Sequence, residues 1–398
     1  MVTRKIFQTM VIEKKSDSSQ GISKPFGDLR RLRQILFVVL LLYGFLVAID
    51  LLGSSFKLVG KDTAENLITS LDNPFCGLLT GVLATVLVQS SSVTTATIVG
   101  LVGSGSVPLN VAVPLIMGAN IGTTITNTLV SLAHVGRKEE FQRAFAGATA
   151  HDFFNLLTVI LFFPLEVFTG VLQKMAQAVA VHVPRVGGKY PNPLKDVVKW
   201  LSKNIQKATE EILGLEQGWL ALAFFLIAIG LIVMSLYYIM RVMRSLMASR
   251  IERLLNRSLG KNAFLGLIVG MLITVSVQSS SITTSLLVPL FAAGLLQLRN
   301  GLPIMIGANI GTTITALLAA MVTGIHGLEI ALVHLFFNLF GTLVFFPFEK
   351  MRMMPVWCAE RLAELAVRNR ALVLVYVGVV FLLIPSAGLF IYKMLQGP

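Results

Sequence analysis

Residues 87–95 read Leu-Val-Gln-Ser-Ser-Ser-Val-Thr-Thr, and residues 276–284 read Ser-Val-Gln-Ser-Ser-Ser-Ile-Thr-Thr. Further on, Gly118-Ala119-Asn120-Ile121-Gly122-Thr123-Thr124-Ile125-Thr126 recurs letter for letter as Gly307 to Thr315. Gln89 and Gln278, and likewise Asn120 and Asn309, are separated by the same 189 positions. From Asn73 and Asn262 onward roughly half of the aligned residues are identical. A third element, His151-x-Phe153-Phe154-Asn155 followed by Phe162-Phe163-Pro164-x-Glu166, returns as His334-x-Phe336-Phe337-Asn338 and Phe345-Phe346-Pro347-x-Glu349, now 183 positions on. Three collinear matches establish an internal duplication whose second copy is six residues shorter between its second and third elements.

The duplicated blocks sit in a very apolar chain. Of its 398 residues, 55% are hydrophobic and 13% charged, and the mean hydropathy is +0.79. An average soluble domain is about 25% charged. So little polar surface cannot clothe a water-soluble globule, which excludes a soluble enzyme, a disordered chain and a nucleic-acid-binding domain. The net charge of +13 falls in short runs between long apolar stretches, as in a polytopic membrane protein with positive-inside loops. An apolar run over 35–52 follows a basic leader and is long enough to cross roughly 30 Å of hydrocarbon. Leader and run are both too long for a cleavable signal peptide, so the run reads as a retained span with a cytoplasmic N-terminus.

Further apolar stretches lie at 75–105, 107–132, 145–172, 218–243, 264–297, 302–324, 328–348 and 371–394. The connection 241–261 holds Arg241, Arg244, Arg250, Arg253, Arg257 and Lys261 against Glu252 alone, which assigns it inside and 173–217 outside. Copy one then begins outside and copy two inside. The expected fold is an all-α polytopic membrane protein of two inverted-topology repeats, each with a re-entrant helical hairpin and broken helices, as in secondary transporters. The boundaries are 1–33 for a cytoplasmic tail, 34–172 for the first repeat and 173–217 for an external loop. The second repeat follows at 218–348, a connecting segment at 349–370, and the last span and C-terminus at 371–398.

Gln-Ser-Ser-Ser inside an apolar stretch is costly unless its polar groups are satisfied. In a hairpin that enters and turns back, Gln89, Ser90, Ser91, Ser92 and Thr94 would meet Gln278, Ser279, Ser280, Ser281 and Thr283 near a pseudo-two-fold axis. Hydroxyls, amides and the N–H groups of helix N-termini suit a tetrahedral oxyanion, held here without arginine. The Gly-Ala-Asn-Ile-Gly-Thr-Thr-x-Thr blocks offer Asn120, Thr123 and Thr126, and Asn309, Thr312 and Thr315, with glycines that permit unwinding and so free carbonyls. Such an oxygen-rich set suits a small hard cation such as Na⁺. No His/Cys cluster points to a transition metal. Asp152 is an intramembrane carboxylate with a cation-coupling role as its default reading, and its counterpart is Leu335. His151 and His334 read as hydrogen-bonded core residues, Glu166 and Glu349 as caps or anchors, and Cys76 and Cys358 as packing residues.

The doubled Gln-Ser-Ser-Ser with Gly-Ala-Asn-Ile-Gly-Thr-Thr after each, and the stretch Arg143-Ala-Phe-Ala-Gly-Ala-Thr-Ala-His151-Asp152-Phe-Phe-Asn155, resemble the type II sodium-dependent phosphate cotransporter family over residues 34–394. The resemblance implies Na⁺-coupled uptake of inorganic phosphate held between the two hairpins. It places Asn155, Asn309, Thr312 and Thr315 at sodium-site positions and matches Asp152 to the aspartate that accompanies net charge movement. The chain differs from animal members at His134, Arg137 and Ala308, where they have Gln, Asp and Ser. Its outer connection is short and lacks cysteines, and its one N-x-Ser/Thr sequon, at Asn256, lies on the inner side. These features favour a bacterial inner-membrane member, and the branch of bacterial relatives that ends in a regulatory helical domain is not the one expected. The expected partners are inorganic phosphate, Na⁺ and the lipid bilayer, with no nucleic acid and no cofactor beyond the coupling ion; a homodimer is one open assembly. Another oxyanion, H⁺ coupling or a passive anion channel are the competing readings. A serine hydrolase built from Ser91, His151 and Asp152 is opposed because the histidine and aspartate are adjacent in one helix.

Overall fold

The computed structural model describes residues 25–59, 73–183, 193–258 and 262–396. Residues 1–24 of the expected tail, and Pro184, Gly187, Gly188 and Pro191 of the expected outer connection, lie outside the described residues. Among the described residues all regular structure is helical, and seven helices are long and apolar enough to cross a membrane. The protein is thus a multi-pass α-helical membrane protein.

Helix α1 (Pro25–Val59) leads into the first copy. α2 (Pro74–Val88) starts at Asn73, whose side chain accepts from Phe75 N, and stops at Gln89; α3 (Ser91–Gly103) restarts one residue later. α4 (Leu109–Gly122) and α5 (Ile125–Ser131) carry the second motif, and α6 (Lys138–Thr169) the third. α7 (Val171–Ala180) and α8 (Pro193–Leu213) fill the connection between the copies. α9 (Gln217–Ser258) then runs for 42 residues. The basic stretch expected as a loop is therefore a helical extension as far as Ser258. Its arginines are spaced by three to six residues with no Gly or Pro between them, so nothing ends the helix.

The second copy repeats the plan. α10 (Ala263–Val277) is capped by Asn262 through Phe264 N and stops at Gln278. α11 (Ser280–Ser285) and α12 (Val288–Ala292) form a return that is interrupted where Pro289 lacks an N–H. α13 (Leu298–Thr323) and α14 (Ile325–Phe345) follow, then the amphipathic α15 (Glu349–Arg368). The last span runs from α16 (Ala371–Gly378) through a π-helical turn at Val379–Leu383 into α17 (Ile384–Gln396).

Close approach between helices fixes the hairpins. A Cβ on Gly77 would meet Pro114 and Val111 O near the start of α4, and one on Gly122 would meet Val82 O and Thr85 near the end of α2, so α2 and α4 lie side by side and run parallel. Only a short turn joins α3 to α4, so α3 must run back along α2. Gly266 against Pro303, and Gly311 against Thr274, repeat this for α10 and α13. The two hairpins open at opposite ends of α13. Near its start, Gly301 meets Phe291 of the second hairpin; at its end, Thr323 meets Gly103 of the first. A helix of 26 residues is about 39 Å long, enough to cross the hydrocarbon core. Around this centre, Leu40, Phe168 and Leu374 present exposed apolar side chains; Trp219 lies exposed near the start of α9, and Trp200 and Trp357 lie exposed on α8 and α15.

Candidate functional site

Gln89 and Gln278 are the two non-glycine residues with positive φ among those described, at 57° and 58°. Holding a side chain in the left-handed region costs about 1 kcal/mol or more, so something must compensate. In each copy the compensation is the same. Gln89 Nε2 donates to Val86 O at 2.7 Å and its Oε1 accepts from Thr126 Oγ1 at 3.2 Å. Gln278 Nε2 donates to Val275 O at 2.7 Å and its Oε1 accepts from Thr315 Oγ1 at 3.0 Å. The last threonine of the second motif thus locks the glutamine of the first.

The serine after each glutamine is extended and caps the returning helix: Ser90 Oγ accepts from Val93 N, and Ser279 Oγ from Ile282 N. A hydroxyl that accepts in this way keeps its own hydrogen to donate elsewhere. Thr94 Oγ1 and Thr283 Oγ1 donate to the carbonyls of Ser90 and Ser279, bracing each turn from behind. The two turns meet where Ser92 Oγ donates to Gln278 O at 3.4 Å.

Together they line one cavity of about 330 Å³, with Gln89, Ser90, Ser91 and Ser92 on one side, Ser279, Ser280 and Ser281 on the other, and Thr126 beside them. Gln278, Thr94 and Thr283 stand behind this lining. Ser91, Ser92, Ser279 and Ser280 are buried. One feature departs from the expectation of a site without arginine. Arg244 of α9 also lines the cavity and is the single charged residue among those that do. It lies in the basic stretch that the sequence assigns to orientation, and only the packing of α9 reveals its second position.

The cation-type residues fall into two polar groups. In the first, Asn309 Nδ2 donates to Asn155 Oδ1, Asn155 Nδ2 donates to Asn120 O at 2.7 Å, and His151 Nε2 lies 2.7 Å from Asn309 Oδ1. All four side chains are buried, and they join three motifs from both copies. The threonines Thr123 and Thr312 close onto Ala119 O and Ala308 O within their own helices. The helix pauses at Thr123–Thr124 in copy one, but α13 runs unbroken through Gly307 and Gly311. The unwinding expected in copy two is absent, although its glycines make the same close contacts as those of copy one: Gly311 lies against Thr274 and Met271 O, Gly307 against Leu267 O. Side-chain oxygens, rather than freed carbonyls, are what that copy offers.

The second group surrounds Asp152. Its Oδ2 accepts from Tyr376 OH at 2.9 Å and Thr128 Oγ1 at 3.3 Å, while Oδ1 is buried with no hydrogen-bond partner. Nearby in the chain, Asn127 Oδ1 accepts from Thr284 Oγ1 and Ser285 Oγ, both at 3.0 Å, tying α5 to the second serine turn. Tyr376, Thr128 and Asn127 belong to no repeated motif, so nothing in the sequence singles them out. His334 is buried as expected, but its Nδ1 has no hydrogen-bond partner among the described residues, unlike the Nε2 of its counterpart His151. Glu166 accepts from Leu172 N and Gln173 N at the start of α7, and Glu349 pairs with Arg299 at 2.8 Å.

A family model described as Na+/Pi-cotransporter matches residues 44–181 and 231–391. The chain is 32% identical over 417 residues to sodium-dependent phosphate transport protein 2A of Rattus norvegicus, covering 87% of this chain and 65% of that protein. It is 32% identical over 436 residues to sodium-dependent phosphate transport protein 2B of Homo sapiens, covering 86% and 63%. It is also 32% identical over 437 residues to protein 2A of Oryctolagus cuniculus, covering 90% and 68%. The chain spans just under two thirds of the length of the rat and human relatives. No solved structure matches.

Proposed function

The chain belongs to the Na+/Pi-cotransporter family, and from that membership we propose that it is a secondary active symporter, importing inorganic phosphate coupled to Na⁺ by alternating access. The observation that carries this reading is the single cavity built from both Gln-Ser-Ser-Ser turns. A tetrahedral oxyanion needs donors from several directions. Ser91, Ser280 and Ser281 supply hydroxyls, Ser92 adds its own by turning from the long 3.4 Å bond to Gln278 O, Ser90 and Ser279 add the hydrogens left over from capping, and Gln89 borders the anion. Thr94, Thr283 and Gln278 keep the turns in shape. The thirteen-residue α3 adds the positive end of its dipole at Ser91, whereas the six-residue α11 contributes chiefly its hydroxyls.

Na⁺ takes oxygen ligands. Asn120, Thr123, Asn155, Asn309 and Thr312 supply one such set, and Thr126 and Thr315 connect it to the glutamines of the anion turns. A buried carboxylate oxygen without a partner is costly, and a cation at Asp152 Oδ1 relieves that cost. Cation binding thereby orders the turns that phosphate then occupies. We read the basic end of α9 as cytoplasmic, α8 as external, the host membrane as a bacterial inner membrane, and the chain as a transporter with no enzymatic step.

Radiolabelled phosphate uptake into proteoliposomes, with and without an inward Na⁺ gradient, tests the reading. Uptake is expected to rise steeply with the gradient and to collapse when K⁺ replaces Na⁺. Equal uptake in both conditions would overturn the coupling, and uptake that follows a pH gradient instead would assign it to protons.

A further inference from the structure

Among the described residues that line the serine cavity, Arg244 alone is charged, and it comes from α9, which carries none of the repeated motifs. It lies within one turn of the end of the apolar span Gln217–Met247. An arginine at that depth has two ordinary destinations, the headgroups beyond the helix end or a polar cavity inside the bundle. Its place on α9 separates them. Met240, Arg244, Met247 and Ile251 recur at spacings of four, three and four, which puts them on one helix face. Met240 lines the cavity beside Arg244, while Met247 and Ile251 pack into the second-copy core that holds Leu267 and Ile273 of α10. Arg244 therefore occupies one step of an otherwise apolar stripe turned toward the second hairpin. Arg241, three residues earlier and also exposed, does not line the cavity.

The remaining polar lining is neutral, consisting of the serine hydroxyls, Gln89 and Thr126, and Met240, Ile282 and Leu286 make part of the wall apolar. An oxyanion entering such a site loses hydration, and neutral donors with a helix dipole of about half a charge offset only part of that loss. A guanidinium carries a full charge at every physiological pH, is weakly hydrated, and presents a planar fork of N–H donors that suits two oxygens of a tetrahedral anion. Ser91, Ser92, Ser279 and Ser280 are buried whereas Arg244 is exposed, so the serine turns form the floor of the cavity and Arg244 stands at its rim.

We propose that Arg244 is the charged contact of the anion site, holding an oxyanion at the rim of the serine cavity on the side where the basic end of α9 lies. That the oxyanion is inorganic phosphate rests on the transport reading above. A phospholipid headgroup carries the same phosphate chemistry. The sharing of one cavity by Arg244 and the buried serines favours the free anion, since a headgroup tethered to acyl chains does not reach that floor.

Two measurements test the contact. The first is equilibrium binding of radiolabelled inorganic phosphate to the detergent-solubilised full chain at fixed Na⁺, with choline chloride setting the ionic strength. Arg244→Gln is expected to raise Kd about five- to ten-fold, the range for a charge-assisted hydrogen bond that stays open to water, and to flatten its rise with ionic strength. Arg244→Lys keeps the charge and should recover most of the loss, and Arg241→Gln should bind like wild type. An unchanged Kd in Arg244→Gln overturns the proposal. So does a weakened Kd whose salt dependence matches wild type, which would make the arginine a packing residue of the stripe. The second is phenylglyoxal modification of the wild-type chain, mapped by mass spectrometry. Inorganic phosphate is expected to slow modification of Arg244 several-fold relative to Arg241. If the chain neither binds phosphate nor is protected by it, but sulfate protects Arg244, the phosphate reading fails and the oxyanion contact stands. Protection by neither anion overturns the contact, as does protection by phosphatidylglycerol alone, which would give Arg244 to a headgroup.

Discussion

Ser91 and Ser280 each occupy the first helical position after a break, where hydroxyl and backbone N–H face the cavity together. A hydrogen bond to a charged group is worth about 1.5–3 kcal/mol, so Ser91→Ala or Ser280→Ala should raise the KM for phosphate about 10- to 100-fold. Dose–response uptake measures this, and variants that transport like wild type would remove these serines from the site. Asp152 makes a different kind of contribution. Tyr376→Phe keeps the ring against Phe145 and Phe381 but removes the 2.9 Å bond to Oδ2. We expect a loss of about 1 kcal/mol in stability and a weaker apparent affinity for Na⁺ with phosphate affinity little changed. Asp152→Asn should abolish the voltage dependence of uptake; voltage dependence that survives it would rule out this carboxylate as the coupling group.

At the level of the element, the decisive feature is a helix that stops at a glutamine instead of a glycine. Glycine is the residue that adopts positive φ without cost, so its absence at both breaks needs a reason. The reason is the amide, which ties the turn to the preceding carbonyl and to Thr126 or Thr315. Gln89→Gly and Gln278→Gly should therefore fold with a melting temperature near wild type, since lost hydrogen bonds and relieved strain are each about 1 kcal/mol. Transport should nonetheless fall by at least about ten-fold, because the serine turn is no longer held in register. Wild-type transport in either variant would show that backbone shape alone suffices. The second motif illustrates how the same letters acquire different structure. In copy one the helix pauses at Thr123–Thr124, and in copy two it runs on, although the glycines of both copies make the same close contacts with the preceding hairpin helix.

For the whole molecule, the two hairpins open at opposite ends of α13 and touch at Ser92 and Gln278. This geometry predicts a specific sidedness when the chain is in a membrane. With Cys76 and Cys358 replaced by Ala, Lys207→Cys should react with an impermeant thiol reagent on intact cells. Arg361→Cys should react only after the membrane is opened; the reverse pattern would invert the orientation and the direction of transport assigned above. The class of the protein, its duplication and the identity of the serine, asparagine and threonine motifs are all determined by the sequence alone, because composition and repetition are one-dimensional properties. The break at each Gln-Ser-Ser-Ser is likewise legible, since a run of hydroxyls cannot lie in hydrocarbon unsatisfied. What only the tertiary structure decides is convergence. Asn155 reaches Asn309, Tyr376 reaches Asp152, and Arg244 joins the serine cavity, each across a separation at which no sequence periodicity speaks. Those meetings are set by helix packing at glycine contacts, and packing is a property of two surfaces together, not of either strand of letters.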